Sequence, residues 1–258
     1  MAIIANSKMD KAISNLLSRQ NYLVTQANDL ARSFGNLTTF EHKVLDYCFS
    51  FVKLEDTSKQ IYVVQMLDII RHLGLNKSGR NYQLVAEAFQ ALNTKTALYL
   101  RTYKNGKNGI IMTSLFDYIE IVEDGKIEFQ FSQKVAPYVF ELKKNFYSFK
   151  LSELSNVRSK YALTLLKLWN ANSMGKLNKA TIKGTLEDWE SWFLGTDTEG
   201  KTKKWSAGRF KQKVLNVSIN ELGRLYPKNL FELTTERSGR QVIGYRLDIT
   251  PIQTTVDI

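Results

Sequence analysis

The chain has 258 residues, which is enough for two small domains or one large domain. Its hydrophobic content of 43%, with 14 Phe, 12 Tyr and 4 Trp, predicts packed cores and excludes a disordered chain. The formal net charge of +11 favours an anionic partner, either nucleic acid or an anionic membrane surface.

The first half begins with a polar, poorly patterned segment, residues 1–20, which we expect to be a mobile N-terminal arm. A helix is then predicted at Thr38, because Glu41 follows it at the capping-box spacing. The elements predicted next, in order, are a strand at 60–64, a helix ending at Gly74, a helix at 81–95, strands at 96–103 and 110–122 around an Asn-Gly turn at 104–109, and a strand at 126–131.

The second half repeats this order of elements. A connecting helix at 135–145 leads to a long apolar helix through Tyr161 and Trp169, and a short strand follows at 180–183. The remaining predicted elements are a helix from Thr185 to Gly195, a helix from Ser206, and a hairpin of strands 230–234 and 242–247 around Ser238-Gly239.

The predicted order of elements in each half is therefore helix, short strand, helix, turn, helix and β-hairpin. This order is typical of a winged helix. The predicted fold class is α+β, with two tandem winged-helix domains. We assign residues 21–132 to the N-terminal domain, 133–250 to the C-terminal domain and 251–258 to a tail.

The most concentrated charge lies at residues 200–213, which hold six basic side chains and no acid. All of them except Lys211 are predicted to contact DNA; the six are Lys201, Lys203, Lys204, Arg209, Lys211 and Lys213. A charge run alone usually marks a solvated loop. Here it opens an amphipathic helix, and focused charge at a helix entry is typical of a protein that binds nucleic acid.

We take Ser206 as the N-cap of this helix, with its hydroxyl accepting from the first free backbone N–H groups. At 100° per residue the apolar side comprises Phe210, Val214, Val217, Leu222 and Leu225. The opposite side comprises Arg209, Gln212, Lys213, Asn216 and Asn220, with no acid among them. Arg, Gln and Asn can pair bidentately with guanine or adenine edges, so this side is predicted to face the major groove of DNA.

The equivalent helix of the first half has fewer cations. Lys77 and Arg80 precede it, and they are predicted to contact phosphates, whereas Glu87 on its exposed side argues against base reading. We therefore expect the second half to read sequence, and the first half to position the protein or to pair with another copy.

Several segments resemble the replication initiator (Rep) proteins of theta-replicating plasmids that bind iterons. They are 21–31, 37–45, Phe129-Gln130-Phe131-Ser132, 135–138, 146–151, Ser159-Lys160-Tyr161-Ala162, Arg209-Phe210-Lys211 and Val214-Leu215. The resemblance spans about residues 21–250.

The resemblance implies two winged-helix domains that bind direct repeats in double-stranded DNA at a plasmid origin and help to melt an adjacent AT-rich stretch. It also implies recruitment of the host initiator and replicative helicase, and a homodimer that represses the protein's own gene. The reading helix of the family maps onto 206–226, and the second wing onto 234–242 with Arg237 and Arg240.

Two alternatives belong to other classes. A rolling-circle nickase needs paired histidines beside a nucleophilic tyrosine, but His42 and His72 lie thirty positions apart, and His42 is expected to be a solvated helix residue. We also find no phosphate-binding glycine loop and no zinc cluster, so no enzyme activity, cofactor or metal is predicted. A tandem winged-helix transcription regulator stays open, because it would use the same surfaces.

Membrane association is the weaker expectation for the positive charge. The sequence has no apolar stretch long enough for a span and no signal-peptide core at its start. The single cysteine, Cys48, fits a reducing environment, and we expect a bacterial cytoplasmic protein that is associated with plasmid DNA.

Overall fold

The computed structural model describes residues 23–24, 34–53, 55–145, 156–173, 177–195 and 202–252. The predicted arm at 1–20, the end of the tail at 253–258 and Lys201 lie outside these described residues.

Three helices form the helical part of the first domain: α1 (Thr39–Ser50), α2 (Met66–His72) and α3 (Gly79–Lys95). Helix α1 begins as predicted, because the Thr38 hydroxyl accepts from the Glu41 N–H and the Glu41 carboxylate accepts from the Thr38 N–H. This reciprocal pair satisfies two N–H groups that a helix start would otherwise leave free.

The strands of the first domain form two sheets. Strand β1 (Leu23–Val24) pairs in parallel with β3 (Ala97–Lys104), which forms a hairpin with β4 (Lys107–Ser114). The second sheet has the order β2-β6-β5, with β2 (Ile61–Gln65), β5 (Phe116–Ile121) and β6 (Lys126–Phe131).

The prediction of one strand over 110–122 was wrong, because the chain leaves one sheet after Ser114 and enters the other at Phe116. Leu115 between them is fully buried. The turn of the β3–β4 hairpin is also shorter than predicted. It comprises only Asn105 and Gly106, both at positive φ, which matches the twist of a two-residue hairpin.

Helix α4 (Ala136–Asn145) opens the part of the chain that we assigned to the second domain. Helix α5 (Lys160–Asn172), β7 (Ala180–Thr185) and α6 (Leu186–Leu194) come next. A helix over 207–225 and the strands β8 (Asn229–Ser238) and β9 (Gln241–Pro251) follow. The sheet order is β7-β9-β8, so the last strand lies between the first and the middle one.

The order β2-β6-β5 in the first domain is the same arrangement. Each domain thus carries a three-stranded sheet whose last two strands form a wing, and the β3–β4 hairpin is an addition between α3 and the first wing. The predicted α+β fold of two tandem winged helices is confirmed.

The domains have separate hydrophobic clusters, and α1 packs against α5 between them. At this contact the Lys167 ammonium lies 2.6 Å from the Asp46 carboxylate, and both side chains are at most 3% exposed. His42 is 3% exposed beside them, with its Nδ1 3.4 Å from Lys167 Nζ. The expectation of a solvated His42 was therefore wrong, because α5 of the second domain covers the side of α1 that carries it.

Candidate nucleic-acid interface

The helix over 207–225 has three consecutive parts: α7 (Ala207–Phe210), a π turn (Lys211–Leu215) and α8 (Asn216–Leu225). Ser206 occupies the N-cap position as predicted, with an extended backbone, and its carbonyl accepts from the Phe210 N–H at 2.9 Å. Its hydroxyl makes no capping hydrogen bond, so that part of the prediction was wrong. The Tyr245 hydroxyl of β9 donates to the Ala207 carbonyl at 2.8 Å and ties the helix start to the sheet.

The π turn changes which residues face the core. In this turn the Asn216 N–H bonds to the Lys211 carbonyl five residues earlier, whereas an α-helix bonds to the carbonyl four residues earlier. The turn thus contains one extra residue, which rotates everything after it by about 100° relative to an uninterrupted α-helix.

The buried residues of the helix are Phe210, Val214, Leu215, Ser218 and Leu222. Val217 and Leu225, which we predicted to be buried, are 40% and 37% exposed. The extra residue accounts for the exposure of Val217, because the prediction assumed a constant 100° per residue along the whole helix. It does not account for Leu225, which is the last residue of α8.

The predicted DNA-facing residues of this helix are all exposed: Arg209, Gln212, Lys213, Asn216 and Asn220. Sequence reasoning missed Arg224, which is exposed and lines a shallow cavity of about 640 Å³ together with Val217 and Asn220. The nearest acid on the helix, Glu221, is half-buried, and its carboxylate accepts the Ser159 N–H at 3.1 Å. The outward side is therefore cationic and rich in amides.

The loop before the helix carries Lys203 and Lys204, both exposed. The Lys203 N–H donates to the Gly195 carbonyl at 3.0 Å, which fixes the loop backbone while the side chain stays in solvent. Lys204 lies 3.6 Å from Glu187, and both side chains of this pair are more than 60% exposed. Such exposed pairs are weak, so Lys204 can still exchange Glu187 for a phosphate.

The wing of the second domain lies beside this helix. Strands β8 and β9 meet at the two-residue loop Gly239-Arg240, and Arg237 and Arg240 are both exposed. The Arg237 guanidinium donates to the Arg240 carbonyl at 3.2 Å, which holds the Arg237 side chain at the tip. Lys211 of the π turn donates to the Thr235 hydroxyl of β8 at 3.2 Å, which links the helix to the wing.

In the first domain Lys77 and Arg80 are exposed at the start of α3, as a phosphate contact requires. Further along α3, Glu87 accepts from the Gln83 amide at 2.8 Å. This side of α3 is thus less cationic than the outward side of the 207–225 helix.

Over the described part of the chain, no group of three or more His, Cys, Asp and Glu side chains is placed to hold a metal ion. None of the helices that the structure describes is long and apolar enough to cross a membrane. Trp169, Trp189 and Trp192 are buried in the second core.

Two family models match the chain. The model described as "Initiator Replication protein, WH1" matches residues 23–170, and the one described as "Initiator Rep protein, WH2" matches residues 185–249. The chain belongs to the initiator replication protein family. Together the two models cover most of the sequence, in the order of the two winged helices.

A curated relative agrees with this assignment. An Escherichia coli protein described as a replication initiation protein is 26% identical over 172 residues, which are 65% of this chain and 53% of that protein. The chain thus matches about half the length of this curated relative.

Two solved structures share the fold. The Pi initiator protein, crystallised in complex with iteron DNA, has a TM-score of 0.66 at 14% identity and covers 86% of this chain and 94% of its own. Domains 2 and 3 of RctB have a TM-score of 0.52 at 10% identity, with 82% of each chain covered.

Proposed function

We propose that this protein starts plasmid replication by binding direct repeats in double-stranded DNA at the origin. The observation that carries the proposal is the composition of the outward side of the 207–225 helix. This side has exposed amides and cations and no acid that points outward. A side of this composition suits the major groove, because amides and guanidinium groups can read base edges while ammonium groups neutralise phosphates.

The flanking elements support the same proposal. Lys203 and Lys204 precede the helix, and Arg237 and Arg240 lie at the tip of the adjacent wing. This arrangement would place a helix in the major groove with cations on either side of it, as in other winged helices. The first domain would add phosphate contacts through Lys77 and Arg80.

We infer further steps from family membership. Bound copies would help to open an adjacent AT-rich stretch and recruit the host initiator and the replicative helicase, and a homodimer would repress the gene. The likeness to the Pi initiator, whose structure contains iteron DNA, supports the direct-repeat part of the proposal. The protein would then act in the bacterial cytoplasm, where plasmid DNA lies.

The proposal is tested by footprinting the full-length protein on the DNA that flanks its gene. Several protected direct repeats next to an AT-rich stretch are expected. One protected inverted repeat at the promoter would instead identify a transcription regulator, and no protection at any sequence would contradict specific DNA binding.

Electrostatics give a second test. If about six phosphates are neutralised, the slope of log K against log salt concentration is expected to be near −5 for duplex DNA. An affinity that hardly changes between low and physiological salt would contradict the assignment of these lysines and arginines to phosphates.

A further inference from the structure

We propose that Glu190 and Trp205 are positioning residues that hold Arg209 in place to read a guanine in the target repeat. The inference rests on the proposed function and adds to it a chemical feature of the DNA target and two residues outside the predicted contact set.

The first step is the contact between Glu190 and the loop before the helix. The Glu190 side chain lies on α6, and the residue is only 2% exposed. Its carboxylate accepts the backbone N–H of Trp205 at 2.7 Å. A buried carboxylate is costly unless it is hydrogen-bonded, so this contact stabilises one position of the loop. Burial raises the pKa of Glu190, while the Trp205 N–H and the Lys204 charge oppose that rise.

The second step is the contact between Trp205 and Arg209. The Trp205 ring is half-buried and packs on the second hydrophobic core. The Arg209 guanidinium carbon lies 4.3 Å from the centre of this ring. Arg209 is exposed, and this stacking restricts its side chain to one side of the helix start.

The third step is what a stacked guanidinium can bind. Stacking uses the flat side of the group and leaves the N–H donors along its edge free to point outward. Two parallel donors match the O6 and N7 acceptors of guanine in the major groove. Lys203, Lys204 and Lys213 carry single charges on flexible stems, and they fit phosphates rather than a particular base.

The test uses the full-length protein and a duplex carrying one footprinted repeat, in which each guanine is replaced in turn by 7-deazaguanine. This base pairs normally but lacks the N7 acceptor. For the wild type we expect one position where the replacement weakens binding by up to about 150-fold, the upper limit for a complete bidentate contact, of which the replacement removes one of the two acceptors. Arg209→Ala removes the donors and should lose this penalty.

The positioning role is tested by comparing variants at that same guanine. Trp205→Ala and Glu190→Ala should reduce the penalty to less than about twofold, while the penalties at other bases and the salt slope stay unchanged. Trp205→Phe keeps a ring under Arg209, and Glu190→Gln keeps an acceptor for the Trp205 N–H, so both should retain the penalty. Thermal melts of every variant identify any loss of folding, and the four substitutions at two positions provide alternatives if one fails to fold.

The outcomes separate the two proposals. If the wild-type protein binds all duplexes equally well, both the proposed function and this inference are overturned. A wild type that recognises its repeat but shows no guanine penalty overturns the inference alone. The positioning role is also overturned if Trp205→Ala keeps the full penalty, or if it weakens binding to all sequences equally.

Discussion

Deleting one residue within the π turn should leave the fold of the second domain intact, whereas deleting one residue just after it should not. The buried positions are 210, 214, 215, 218 and 222. Without Gln212 their spacing becomes i, i+3, i+4, i+7 and i+11, which is the pattern that an uninterrupted α-helix buries on one side. The π turn would become an α turn, and all five buried residues would keep their places.

Deleting Asn216 is the matched control. If the π turn persists, Ser218 and Leu222 rotate by about 100° and leave the core. If the π turn becomes an α turn, Ser218 and Leu222 stay in place, but Leu215 then points about 140° away from Phe210. One fully buried leucine is lost in either case, which costs about 2–5 kcal/mol.

Urea denaturation of the wild type and the two deletion variants measures this difference. We expect the deletion of Gln212 to change the free energy of unfolding by less than about 1.5 kcal/mol, as a core rearrangement that conserves volume does. A deletion of Gln212 that destabilises as much as the deletion of Asn216 would refute the assignment of the extra residue to the π turn.

Three further outcomes concern the cores. Lys167→Met leaves the Asp46 carboxylate buried without the Lys167 ammonium and should lower the free energy of unfolding by about 3–5 kcal/mol. The double variant Lys167→Met with Asp46→Leu should recover most of this loss. Equal destabilisation of the single and the double variant would contradict a coupled pair. Burial and the charge of Lys167 hold the pKa of His42 well below 6.5. As the pH falls, the imidazole of His42 is therefore protonated first in the unfolded chain. The free energy of unfolding should then decrease below pH 6.5 by up to about 1.4 kcal/mol per pH unit. His42→Gln should remove this contribution in denaturation experiments between pH 7.5 and 5.5. Phe210→Ala should lower stability by about 3–5 kcal/mol and abolish DNA binding only through unfolding, so specific binding lost by a fully folded variant would contradict its place in the core.

Local signals in the sequence predicted much of the fold. Thr38 and Glu41 mark the start of α1, and Asn105-Gly106 marks the tight hairpin, because each depends only on neighbouring residues. The break at Leu115 could not be predicted in this way, since it depends on which sheet each side of it joins. The burial of His42 depends likewise on α5, more than 100 residues away in the chain.

The candidate site was predictable to a similar extent. The composition of the helix identified an outward side free of acid, and its five predicted residues are exposed. Which residues face the core after Leu215 could not be predicted, because a helical pattern of constant period gives no sign of a π turn. The contact between Glu190 and Trp205 joins residues of separate elements, so no spacing in the sequence indicates it.

The most direct test of the central claim is a competition between the footprinted repeat and single-base variants of it, measured for folded Arg209→Ala and Asn216→Ala proteins. We predict that each substitution costs about 1–3 kcal/mol and relaxes discrimination at particular base positions, while Lys203→Ala weakens all sequences alike and makes the salt slope shallower by about one unit. If both variants keep wild-type discrimination, the 207–225 helix is not the element that reads the repeat, and the wing around Arg237 and Arg240 takes that role.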